Sequence, residues 1–233
     1  MRRQALTDFY AFCRLADDIS DQEGLSIARR SELLDRLASW VKDGQKNGHP
    51  YWDRFLDEKR DLHISNSSLL GIIDGVRMDL TETLNIQTWN ELNRYVYGVA
   101  CCVGEAVLSI LGADGPKAAP YSLPMGKCLQ YLNIMRDLDE DAANQRTYVP
   151  EEFLSGRKME MCKDEIREEL FKRAMEFRNE AEPYSFKCLP AELMAAIYIE
   201  GAIKYWRFGN PKRLTSYEKL KRVLKTILTL KLS

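Results

Sequence analysis

Histidine is nearly absent. His49 and His63 are the only two, too few for an imidazole-built zinc or iron centre. The six cysteines form no C-x-x-C pair and nothing at the N-terminus reads as a cleaved leader, so they read as reduced thiols of a cytoplasmic protein. Basic charge is not in excess: 34 Lys and Arg stand against 35 Asp and Glu, unlike a generic nucleic-acid binder. A Gly-rich dinucleotide fingerprint is missing, as are repeats, biased tracts and alternating β-branched runs. Eight prolines and thirteen glycines in 233 residues exclude fibrous and disordered classes.

What remains is helical in pattern. Residues 2–21 hold no Gly or Pro, and Gly24 follows as a stop signal. Residues 26–42 set Leu33, Leu34, Leu37, Trp40 and Val41 on one face, and 42–63 read as a connector broken by glycines and a proline. Further helices are predicted over 69–80, 122–143 (with Pro124 near the first turn), 165–181, 191–208 and 216–230. Thr88 and Glu91 have capping-box spacing, so a helix starts there and runs into residues 95–113, whose only charge is Glu105. That stretch reaches membrane-spanning length, but a buried helix beside a cavity explains its many small residues better. No linker divides the chain. The predicted fold is all-α, one domain over residues 1–233.

The C-terminal segment departs from the even charge balance. Residues 204–231 carry nine Lys or Arg and one Glu. Leu220, Val223, Leu224, Ile227 and Leu228 fall there at helical spacing. Such a helix either packs its apolar stripe on the core or lies on an anionic membrane surface.

Two carboxylate clusters carry the chemistry. In Arg14-Leu-Ala-Asp-Asp-Ile-Ser-Asp21, residues Asp17 and Asp21 are four apart and share one helix face. In Asn133-Ile-Met-Arg-Asp-Leu-Asp-Glu-Asp141, Asn133, Asp137 and Asp141 repeat that interval. Like charges so spaced cost a few tenths of a kcal/mol each in an isolated helix. A magnesium ion between two such faces would offset the repulsion and leave room for a diphosphate. Arginines beside them would meet the remaining phosphate oxygens. The competing reading is a solvated acidic face, with Asp17, Asp18, Asp137, Asp139 and Asp141 paired to Arg14 and Arg136. Spacing alone leaves both open.

The stretch Tyr10-Ala-Phe-Cys-Arg-Leu-Ala-Asp-Asp-Ile-Ser-Asp21 resembles the first aspartate-rich motif of the squalene/phytoene synthase family. Gln130-Tyr-Leu-Asn-Ile-Met-Arg-Asp-Leu-Asp-Glu-Asp141, followed by Arg146-Thr-Tyr-Val-Pro150, resembles the second. Ile73-Asp-Gly-Val-Arg-Met-Asp-Leu80 and Tyr95-Val-Tyr-Gly-Val-Ala-Cys-Cys-Val-Gly104 match two more signatures in order. The resemblance implies an isoprenoid-synthase helical bundle around a central apolar cavity. It also implies Mg²⁺-dependent head-to-head condensation of two prenyl diphosphates through a cyclopropyl diphosphate.

By the same resemblance, Asp17, Asp21, Asn133, Asp137 and Asp141 hold metal. Arg14, Asp18, Gln130, Arg136, Arg146 and Arg213 bind substrate, and Tyr95, Tyr148 and Tyr198 stand near the reacting carbons or the departing diphosphate. Tyr10, Phe12 and Tyr131 read as core, Cys101 and Cys102 as packing residues, and Arg77 either reaches the site or pairs with Asp74. The chain is expected to lack the family's first N-terminal helix and to be short over residues 152–192. Farnesyl diphosphate and a C30 product are favoured over geranylgeranyl diphosphate and phytoene, and use of NADPH is left open. A non-catalytic scaffold role and a one-diphosphate terpene cyclase are the competing functions.

Overall fold

The computed structural model describes residues 2–81, 84–113 and 115–185, with Ala195, Tyr198, Ile199 and Gly201. Helix α1 (Arg2–Asp21) is uninterrupted, and Gly24 with φ +84° turns the chain after it. The Ser26 hydroxyl accepts from the Arg29 amide to open α2 (Ile27–Asp43), and Gly44 closes it in the left-handed region. The predicted connector contains a helix, α3 (Pro50–Asp61). Its breakers are in fact start signals: proline is favoured at the first helical position, and the Asp53 carboxylate accepts from the Asn47 and Gly48 amides. α4 (Asn66–Arg77) follows, capped by Ser65.

The small-residue stretch forms one rod: α5 (Trp89–Val96), a π-helical segment (Tyr97–Cys101) and α6 (Cys102–Leu111). Thr88 Oγ1 accepts from the Glu91 amide, while Glu91 reaches back to the Gln87 amide, one residue earlier than in a strict capping box. Length and composition would let Trp89–Leu111 cross a membrane. Here it packs between α4 and α7 (Ala118–Ala143). α7 begins four residues before the predicted start, which puts Pro124 inside the helix. α8 (Glu151–Leu154) and α9 (Lys163–Ala181) complete the described α-helices, α9 lying along α7.

Two apolar cores flank the rod. Phe9, Phe12, Leu34, Phe55, Ile73 and Cys102 belong to one, and Leu92, Cys101, Tyr131, Met135 and Ile166 to the other. The adjacent cysteines thus face opposite cores. Burial first pushes their thiols up, to about 12 for Cys101 and about 11 for Cys102, as befits packing residues. Phe12 and Tyr131 are fully buried as predicted, but Tyr10 lies 68% exposed on the outer face of α1. Arg77 ties α4 to α2 through Asp35 at 2.9 Å and stands 3.9 Å from Asp74.

One element breaks the all-helical pattern. β1 (Leu84–Asn85) pairs in parallel with β2 (Arg146–Thr147), Leu84 opposite Arg146. The helices predicted over 191–208, apart from four residues, and over 216–230 lie outside the described residues. So does the basic segment 204–231.

Candidate active site

The C-terminal end of α1 carries the first acidic cluster. Arg14 Nη2 sits 2.8 Å from Asp18 Oδ1, and Asp21 Oδ1 accepts from Arg146 Nη2 at 2.8 Å. Asp17 makes no ion pair with the described residues. Burial is the main force lifting its carboxyl above the usual range, Arg14 opposes it, and Asp21 and Asp18 add to it. Two of the three carboxylates are therefore matched by arginines while the third carries the strain.

The C-terminal half of α7 repeats this division. Arg136 donates to Asp137 Oδ1 at 2.6 Å and, through Nη1, to the Tyr198 hydroxyl at 2.7 Å. Asp139 turns the other way, to Arg167 at 2.7 Å and to Lys163 on α9. It belongs to the helix–helix contact. Asp141 has no ion pair among the described residues. Burial and then Asp137 push it up to about 6, against Arg146. Farther up the helix, Asn133 Nδ2 donates to Gln130 Oε1 at 3.0 Å.

Between the clusters lies a triangle of oxygens. The Tyr148 hydroxyl donates to Asp79 Oδ1 at 3.3 Å, the Tyr95 hydroxyl is 3.4 Å from Asp79 Oδ2, and the two hydroxyls are 3.2 Å apart. Their rings stack with centroids 5.0 Å apart. Burial raises Asp79 to about 6, with Arg146 and the Tyr148 bond working against it. Burial also lifts both phenols well above their ordinary value. Arg146 is the common neighbour: bonded to Asp21, it also bears electrostatically on Asp79, Tyr148 and Asp141. The β1–β2 bridge fixes Arg146 and delivers Tyr148 two residues on.

The squalene/phytoene synthase family model matches residues 1–206. A presqualene diphosphate synthase of Zymomonas mobilis is 30% identical over 252 aligned positions, covering 99% of this chain and 85% of that protein. The chain belongs to the squalene/phytoene synthase family. A second presqualene diphosphate synthase, from Rhodopseudomonas palustris, is 31% identical over 66% of this chain and 55% of its own length. The chloroplast phytoene synthase of Daucus carota is 35% identical over 66% of this chain and 40% of its own. These two matches thus span about half or less of the relatives' length. A dehydrosqualene synthase crystal structure shares the fold, with a TM-score of 0.82 at 24% identity over all of this chain and 88% of that one.

Against the family motifs, the fold brings Asp17, Asp21, Arg146, Tyr95, Tyr148, Asp141, Asp137, Arg136 and Tyr198 into one connected run of contacts and fields. Arg14 and Asp18 pair with each other, and Gln130 with Asn133. Arg213 lies outside the described residues. Asp79 lies within the Ile73–Leu80 signature, where the sequence alone assigns it no role. The available signal was an acid two residues after Arg77, at the end of a helix pattern that also holds Asp74.

Among the described residues, no three Asp, Glu, His or Cys side chains converge closely enough to hold an ion by themselves. Carboxylates of raised proton affinity on both walls are nevertheless hard oxygen donors that gain from a nearby dication. Such a donor set fits Mg²⁺ if substrate phosphate oxygens complete the shell.

Proposed function

We propose that the chain is a head-to-head prenyl diphosphate synthase that joins two molecules of farnesyl diphosphate through a cyclopropyl diphosphate to a C30 isoprenoid. The observation that supports this reading is the Arg146–Asp21 bridge, a contact across 125 residues that ties the end of the first acidic motif to a residue five beyond Asp141 of the second. In it Asp17 and Asp21 hold Mg²⁺ from α1, and Asn133, Asp137 and Asp141 hold it from α7. The bound Mg²⁺ supplies Lewis-acid neutralisation of the leaving diphosphate.

The chain's own groups then divide the work. Arg14, Arg136, Arg146 and Arg213 bind phosphate oxygens, with Gln130 and Asp18 beside them, and hold the leaving group in place. Loss of diphosphate leaves an allylic cation, which the double bond of the second molecule captures. Closing the cyclopropane then uses the C–H electron pair on C1 of the first molecule and releases that proton, and the cyclopropyl product later loses its own diphosphate and rearranges to the linear C30 chain. The aromatic faces of Tyr95, Tyr148 and Tyr198 stabilise the positive charge by about 0.5–2 kcal/mol apiece. Walls that exclude water keep the cation from being quenched.

Family relatives named as phytoene synthases support a second reading, with geranylgeranyl diphosphate and a C40 product. Contact of the basic segment 204–231 with an anionic membrane belongs to the same proposal, supported by its nine cationic side chains against one acid. Use of NADPH to reduce the product is a further branch of it.

The test is to incubate the purified chain with radiolabelled farnesyl or geranylgeranyl diphosphate, with and without Mg²⁺, and to analyse the extracted lipid. A Mg²⁺-dependent C30 product is expected, and it should vanish in Asp17→Ala and Asp137→Ala with helicity unchanged. A C40 product selects the second reading. Absence of product, or full activity in either variant, contradicts the site assignment.

A further inference from the structure

The Asp79–Tyr95–Tyr148 triangle is the polar cluster that the aspartate-rich motifs do not account for. Asp79 stands just beyond the end of α4, where its backbone amide bonds to the Val76 carbonyl. Its two carboxylate oxygens face two different phenols from two different elements, α5 and the residue after β2. A phenol carries one hydrogen and is free to rotate it. A carboxylate within reach of both hydroxyls removes that freedom, because an ionised carboxylate can only accept. The hydrogen of Tyr148 is then directed at Asp79, that of Tyr95 is shared between Asp79 at 3.4 Å and the Tyr148 oxygen at 3.2 Å, and the remaining lone pairs point elsewhere.

We propose that Asp79 is a positioning residue for the condensation, fixing both phenol dipoles so that the oxygens of Tyr95 and Tyr148 present lone pairs to positive charge developing beside them. This rests on the synthase reading and deepens it. Preorganised dipoles count because they need no rearrangement when the charge appears. Arg146 supplies the reason the carboxylate stays ionised in a largely apolar surround: its guanidinium, already tied to Asp21, bears on Asp79 as well. Substrate binding through the diphosphate does not need the triangle. The role therefore predicts a defect in turnover and not in affinity.

Asp79→Asn keeps the shape but offers one acceptor and one donor, so it can orient only one phenol. Against wild type it should lower kcat about 100-fold. It should leave Mg²⁺-dependent affinity for an unreactive farnesyl thiolodiphosphate within about threefold. Asp79→Glu, which restores a carboxylate, should recover part of the rate, and Asp79→Ala none. A merely structural role would lower affinity, melting temperature and kcat together, with no rescue by Glu.

A readout independent of turnover is the ¹³C carboxyl resonance of Asp79, assigned by its loss in Asp79→Asn. It should titrate near about 6, and Tyr148→Phe, which removes a donor that favours the ionised form, should move that midpoint upward. An ordinary aspartate midpoint insensitive to Tyr148→Phe overturns the geometry. Normal kcat in Asp79→Asn overturns the role alone. A wild-type chain that makes no product overturns the synthase reading, and the role with it.

Discussion

At the scale of single residues, the charged side chains divide into those that hold helices together and those left under strain. Asp139 is spent on Lys163 and Arg167, and Arg77 on Asp35. Exposed pairs of this kind contribute little, typically 0–1 kcal/mol. Asp17, Asp79 and Asp141 have their carboxyls raised, and all three lie in the proposed site. Outside it, one buried pair shows the same physics without a site. Asp8 is fully buried between α1 and α3, bonded to Arg54 at 2.6 Å and Gln4 at 2.8 Å, and Glu58 lies against it with Oε2 unpartnered. Burial first, then the charge of Asp8, pushes Glu58 up to about 7.

The sign of the stability effect follows. A carboxyl raised on folding contributes fully below its unfolded value of about 4.3 and loses that contribution as pH climbs through the folded value. The protein should therefore melt lower at pH 8 than at pH 6. Glu58→Gln, which cannot ionise, should gain about 2–4 °C at pH 8 and little at pH 5. Thermal unfolding followed by circular dichroism checks this, and a gain equal at every pH would contradict it.

At the scale of elements, the site depends on how closely the backbones approach. A Cβ on Gly75 of α4 would stand 2.8 Å from the Val99 nitrogen, and one on Gly126 of α7 2.8 Å from the Cys101 Cα. Both helices thus press on the π-helical segment, with Asp79 just after α4 and Tyr95 just before that segment. Gly75→Ala should cost about 1–3 kcal/mol in urea unfolding, because backbone cannot yield as a flexible side chain would. It should also slow turnover by displacing Asp79 from Tyr95. Unchanged stability would show that the two elements slide apart freely.

The small residues of 95–113 were legible in the sequence, as were α1 from its lack of Gly and Pro and α2 and α4 from apolar residues at helical period, whereas nothing marked Gly126 as a contact. The β1–β2 bridge was not, since two residues per strand carry no alternation. α3 was hidden because Gly48 and Pro50 signal a helix start as readily as a loop. The cost of that blind spot falls on the site: the bridge is what sets Arg146. The acidic motifs themselves were plain, but nothing in their spacing revealed that Arg146 would close on Asp21 or that Asp139 would face away.

At the scale of the whole molecule, the two acidic motifs belong to helices of different cores. α1 packs with α2, α3 and α4, and α7 packs with α5 and α9, so the proposed site lies where the halves meet along the central rod. In the proposed reading the diphosphate is held by both halves together. The central claim is that the acidic faces of α1 and α7 form one Mg²⁺–diphosphate site. Calorimetric titration of farnesyl thiolodiphosphate into the chain tests it most directly, with and without Mg²⁺, in wild type, Asp21→Asn and Asp137→Asn. The account predicts tight binding that requires Mg²⁺ and falls at least about 100-fold when either aspartate is changed. Binding that is indifferent to Mg²⁺, or that survives intact in either variant, would contradict it.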